Sequence, residues 1–265
     1  MNFVFTVALC INKTQPLLMS KDITPSKHAH LWLQGCWWLL LMALFVVTLW
    51  FSWHLLARIN YGYSWFYDTV GVSQNVIEFG PQNQYRKGFE KTTRQEHYRL
   101  FHEIVVAINE RGTGLATISY RSSNGDRIDT LLHAAEVTHL RDVARLVAHF
   151  DFAGVLSVLM AMVLAGIIYW QRIERPKGRS LVIATIGLCL LVAVLILVVG
   201  PIDVFYTLHD WVFPAGHQWF FYYQESLMTT LMKAPDIFGY ISALWAVVTL
   251  VLFTIICKLL WYWRP

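Results

Sequence analysis

With 265 residues the chain is long enough for one or two soluble domains, but 56% of them are apolar and only 14% are charged, where about 25% charged is usual in a soluble domain. The deficit is gathered into four apolar runs, which excludes a soluble globular protein; the net charge of +4 is explained by loop placement at a membrane and gives no argument for nucleic acid. The expected fold class is a mostly α membrane protein with four transmembrane helices, a small α+β extracytoplasmic cap and an aromatic interfacial loop.

In chain order, residues 1–30 form an expected cytoplasmic tail carrying Lys13, Lys21 and Lys27. Its first eleven residues are apolar but too short to span, and lack a small-residue cleavage site; Met19 is an alternative start. Residues 31–57 make the first span, because roughly 20 apolar residues at about 1.5 Å each cross the hydrocarbon. Only a helix satisfies the backbone amides of such a run in lipid.

Residues 58–151 form the extracytoplasmic cap. The aromatic stretch 60–67 reads as an interface-hugging extension. From Arg94 the spacing becomes helical, with His97, Phe101, Ile104, Val105 and Ile108 on one face and Arg111-Gly112 closing the pattern. Two short strands, 115–120 and 127–132, flank Asn124-Gly125, a two-residue hairpin signal. Residues 138–150 turn helical again, with Thr138 as the expected N-cap.

The second span is 152–170. A cytoplasmic loop, 171–180, follows with Arg172, Arg175, Lys177 and Arg179 against Glu174, which fixes the orientation by the excess of basic residues on the inner side. The third span is 181–200. Residues 201–239 hold only Lys233 against Asp203, Asp210, Glu225 and Asp236, so they face outward; their density of rings, broken by Pro, Gly and His, fits an interfacial or re-entrant segment. The fourth span is 240–261, and 262–265 end in the cytoplasm. Both termini are thus expected inside a cell membrane crossed several times. The cysteines, Cys10, Cys36, Cys189 and Cys257, include no Cys-x-x-Cys pair and none in an outer loop, so they are expected as free thiols.

Chemistry is expected at histidine, which exchanges a proton near neutral pH. His28, His30 and His54 lie in the tail or near an interface, and His97, His102, His133 and His149 on or beside cap helices. His139, His209 and His217 stand in the outer segments next to the membrane. Glu136 and Asp142 lie one helical turn from His139, where either carboxylate would orient its ring, and Asp210 follows His209. Two imidazoles from separate loops converging over one membrane face is the functional reading; ordinary hydrogen-bonded histidines are the alternative. There is no Gly-x-Ser-x-Gly, phosphate-binding glycine loop or His-Glu-x-x-His, so no cofactor and no resident metal are expected.

Glu136-Val137-Thr138-His139-Leu140-Arg141-Asp142-Val143 leads into a span, and Phe205-x3-His209-x3-Phe213-x5-Trp219 follows some seventy residues later, with Leu231-Met232-Lys233-Ala234-Pro235-Asp236 downstream. From about Leu31 onward this resembles the four-span family that includes the lipoprotein intramolecular transacylase. The family's second element has Phe directly before its histidine and a Phe-Phe pair after it; here those places hold Leu208 and Phe213-Pro214. The resemblance implies a membrane acyltransferase of the bacterial cell envelope. It would move the sn-2 acyl chain of a diacylglyceryl-modified cysteine onto the same cysteine's α-amine. His139 and His209 would be catalytic, with Glu136, Asp142, Asp210, His217 and Trp219 in support. The partners implied are an acylated lipoprotein or lipid and the membrane lipid itself. Two other readings stand beside it: a non-enzymatic scaffold that binds a partner or lipid through the aromatic loop, and a divalent-metal site built from His139, His209, His217 and Asp210.

Overall fold

The computed structural model describes residues 27–174, 187, 191 and 194–262. Residues 1–26 of the expected tail, with Cys10 and Met19, the basic stretch 175–180 and most of the expected third span lie outside the described residues, and 27–30 of that tail belong to the first helix. Gly187, Leu191 and residues 194–199 of that span are helical.

Three described helices are long and apolar enough to cross a bilayer: α1 (Lys27–Ala57), α5 (Ala134–Trp170) and α8 (Asp236–Tyr262). The chain is a multi-pass membrane protein. α1 packs on both α5 and α8. On α5, Phe152, Val155, Leu159 and Val163 are exposed at three- and four-residue spacing, a continuous apolar stripe for lipid. Its opposite face approaches α1 so closely that a Cβ on Gly154 would lie 2.3 Å from the Trp50 ring. Glycine there permits the contact.

The cap is built from α2 (Tyr63–Thr69), α3 (Val72–Phe79), α4 (Arg94–Asn109), the hairpin β1 (Ser119–Arg121) and β2 (Arg127–Thr130), and α7 (Leu227–Met232). One hydrophobic core joins all of these to the cap-side ends of α1 and α8. Residues 221–232 thus complete a core that the cap residues before α5 do not close alone, as the small size of the cap predicts.

Several local expectations are corrected. The 60–67 rings do not lie along an interface: Tyr61, Tyr63, Phe66 and Tyr67 are buried, and only Trp65 is strongly exposed. Positions 63, 66 and 67 share one helical face, which turns toward α4, where Tyr63 stacks on Phe101 at 3.9 Å and donates a hydrogen bond to Leu231 O. The expected strand 115–120 begins as a 3-10 turn, Leu115–Thr117, because Gly112 and Gly114 take φ of +82° and +81° and swing the chain back. The hairpin loop has three residues, not two: Ser122 N donates to Asp126 O and Gly125 N to Ser122 O, with Gly125 at φ +90°, the turn-plus-left-handed-residue arrangement.

α5 does not start at Thr138. Its N-cap is His133, whose Nδ1 accepts from Ala135 N while Glu136 returns to His133 N at 2.7 Å. This is a capping box with histidine in the hydroxyl's place. Thr138 instead donates to Ala134 O inside the helix. From there α5 runs unbroken for 37 residues, about 55 Å at 1.5 Å per residue, so roughly half of it stands clear of a hydrocarbon layer about 30 Å thick.

His97 anchors α4. The Thr92 hydroxyl donates to Phe89 O, so at 2.6 Å from His97 Nε2 it accepts; Nδ1 then accepts from the Tyr67 hydroxyl at 2.7 Å. The ring is held neutral, and burial pushes its pKa down to about 4. Because the unfolded chain binds that proton first, cap stability is full above about pH 6.5 and is lost as pH falls toward about 4. The expected loss is on the order of 3 kcal/mol. Hydrogen exchange of α4 amides across this window measures it, and Tyr67→Phe, which frees Nδ1, is expected to flatten the dependence.

Candidate active site

The site forms where residues 201–228 fold back along the N-terminal part of α5. Gly200 at φ +98° and Pro201 at the first helical position turn the chain into α6 (Pro201–Val212), which places Phe205 and His209 one turn apart. His209 Nδ1 lies 2.7 Å from Phe205 O. A carbonyl only accepts, so Nδ1 carries the hydrogen and the lone pair of the neutral ring sits on Nε2. The helix ends at Phe213, and a turn over Pro214–Gly216, with Gly216 at φ +88°, returns the chain to α5.

Residues 213–228 then track the first turns of α5. Glu136, His139 and Asp142, at three-residue spacing on one face, meet this segment in succession. His217 Nδ1 lies 2.5 Å from Asp142 Oδ2. Phe213 packs on His139 with ring centroids 4.8 Å apart, and Phe221 does so at 6.1 Å. Ser226 Oγ and Met228 N donate to Glu136 Oε1 at 2.5 Å and 3.2 Å.

His139 and His209 thus converge on one ring, since Phe213 also contacts His209 at 5.2 Å. Phe205 and Trp219 flank His209 at 3.9 Å and 4.9 Å. His139 is 9% exposed, and its Nδ1 is buried with no hydrogen-bond partner among the described residues. Burial, then the positive charge that His209 would carry nearby, push the His139 pKa down to about 4, against an opposing pull from Asp142. Burial also lowers the pKa of His209, with the Phe205 carbonyl and Asp210 opposing. Both rings are therefore neutral at pH 7, the form able to accept a proton.

The supporting residues take roles other than those expected. Neither Asp142 nor Glu136 orients the His139 ring. Asp142 is bound by His217 and, through Oδ1, by Arg145 at 2.7 Å. Glu136, 1% exposed, is occupied by His133 N, Ser226 and Met228; burial raises its pKa against those donors. Asp210 is exposed and acts on His209 only through space. Trp219 walls the His209 side. His217 pairs with Asp142, and among the described residues no three or more His, Cys, Asp or Glu side chains gather as a metal site.

Sequence reasoning missed Phe221, Ser226, Arg145 and the capping role of His133. The His133-x-x-Glu136 spacing carried a readable signal for the last; nothing distinguishes Phe221 from the rings around it.

A family model described as lipoprotein intramolecular transacylase Lit matches residues 38–234, a range that takes in every residue of this site. No curated protein and no solved structure matches the chain.

Proposed function

The chain belongs to the lipoprotein intramolecular transacylase family, and from that premise we propose that it moves an acyl chain, within one diacylglyceryl-modified lipoprotein, from the glyceryl oxygen to the α-amine of the N-terminal cysteine. The observation that carries this reading is the meeting of His139 and His209, two neutral imidazoles from different outer segments, on the face of Phe213.

The reaction asks little of the protein beyond proton handling and position. The cysteine α-ammonium, of pKa about 8, must lose a proton before it can attack an ester. A neutral imidazole with a free lone pair takes it; His209 Nε2 and His139 both qualify. The amine nitrogen then bonds to the ester carbonyl carbon and gives up a second proton, to the other imidazole and on to water; the bond from that carbon to the glyceryl oxygen breaks, and the imidazolium returns its proton to that oxygen. One N–C bond replaces one O–C bond, and of the two protons that leave nitrogen one ends on the glyceryl oxygen and the other in solvent. Nucleophile and ester belong to one molecule, so holding them together supplies much of the acceleration. Phe205, Phe213 and Trp219 shield the imidazoles, which keeps water from competing for the ester.

His217 and Asp142 serve as the latch that holds 213–219 against α5. Asp142→Asn keeps the shape but weakens the charge-assisted bond, and is expected to slow the acyl shift roughly tenfold, for a loss of about 1.4 kcal/mol, with normal membrane insertion. The reading as a whole is tested by producing the chain in a host whose lipoproteins are tracked. Mass spectra of their N-terminal peptides are expected to show one acyl chain moved from glycerol to nitrogen. Unchanged peptides, with the protein present in the membrane, contradict it.

A further inference from the structure

A concavity lies away from the histidine pair, between the cap-side end of α1 and the last turns of α4. It encloses about 600 Å³, within the roughly 300–1,000 Å³ span of ligand pockets. Trp50 and His54 line it: His54 Nε2 lies 2.7 Å from Asp151 Oδ1, and Trp50 Nε1 donates to the same oxygen at 3.0 Å. That pair of polar groups is thereby satisfied within the protein. The rim differs. Arg58 and Glu110 both line the groove and both are exposed, yet among the described residues neither enters an ion pair, with the other or with anything else. Two opposite charges thus face one cavity without neutralising each other. The wall between them is apolar, with Phe51, Leu55 and Val106 exposed at 55%, 40% and 36%.

The position is decisive for the class of ligand. α1 is apolar through Ala57 and Arg58 follows at once, so the groove sits where the hydrocarbon gives way to headgroups. We propose that this groove binds a glycerophospholipid with a zwitterionic headgroup. Its phosphate is placed on Arg58, its ammonium on Glu110, and the upper part of an acyl chain against Phe51, Leu55 and Val106. An anionic lipid would leave Glu110 facing like charge, and a cationic amphiphile would do the same to Arg58. This site does not depend on the acyl-shift reading.

The test uses the full chain in phosphatidylglycerol nanodiscs containing a small fraction of photoreactive phosphatidylethanolamine or photoreactive phosphatidylglycerol, the reactive group sitting on the same acyl carbon. Cross-linked peptides are mapped by mass spectrometry. The ethanolamine probe is expected to label the Phe51/Leu55 and Val106 peptides roughly three- to fivefold more than the glycerol probe, the scale of one exposed ion pair. The double variant Arg58→Ala/Glu110→Gln is expected to abolish this preference while labelling of the exposed α8 residues Val251 and Leu259 stays unchanged. Equal labelling by the two probes, or a preference that survives the double variant, overturns the proposal. Displacement of the probe by soluble glycerophosphoethanolamine also overturns it, since the occupant would then be a headgroup and not a lipid.

Discussion

Replacing His139 with alanine is expected to lower the rate of acyl transfer about 10²- to 10⁴-fold, the usual scale for losing a positioned proton carrier, while the protein still inserts and folds. The two halves of that expectation have different grounds. The ring makes no hydrogen bond through its buried Nδ1, so its removal orphans no donor elsewhere; the main structural cost is the space left beside Phe213 and Phe221. The chemical cost is larger, because the variant leaves His209 to act without the second imidazole seated against Phe213. N-terminal peptide mass spectrometry reads the first effect, and hydrogen exchange over the first turns of α5 reads the second. Full activity in His139→Ala, with His209 intact, would remove His139 from the mechanism.

Glu136→Ala is expected to lower activity by a different route, through structure. Three donors lose their acceptor at once: His133 N, Ser226 Oγ and Met228 N. Leaving a buried donor unpaired costs about 1–3 kcal/mol, and a shared network of this kind is expected to cost about 3 kcal/mol or more in total. The first turn of α5 would fray and residues 226–228 would detach, carrying the walls of the histidine pair with them. Activity falls because the site comes apart. Glu136→Gln, which keeps one acceptor oxygen, should fall between the variant and the native chain in hydrogen exchange of the Met228 and His133 amides. If those amides stay protected in Glu136→Ala, the pinning role is wrong.

The expected spans matched by helices were legible because a membrane leaves an uncharged run of twenty residues one structural choice. α4 was legible for a related reason: His97, Phe101, Ile104 and Val105 repeat at the helical period, and all four are buried. The 60–67 rings misled because an aromatic cluster beside a span fits either lipid or a core. Only the partners, Phe101 and Leu231, decide between them, and neither is local. The start of α5 was misplaced because histidine is an unusual cap, recognisable only together with Glu136. Within the site, the two imidazoles were readable as chemistry, yet the carboxylate beside His139 in sequence pairs in space with His217, 75 positions away. A helix shows which residues share a face; it does not show which loop returns to that face.

The most direct measurement follows the acyl chain itself. Purified protein is mixed with two diacylglyceryl-modified lipopeptides, one of ordinary peptide mass and one with a heavy peptide carrying an isotopically labelled sn-2 acyl chain. The account predicts that the label leaves glycerol and appears on the α-nitrogen of the heavy peptide alone, and that His139→Ala leaves it on glycerol. Label found on the light peptide or released as free fatty acid, or a native protein that leaves every chain in place, would contradict the account.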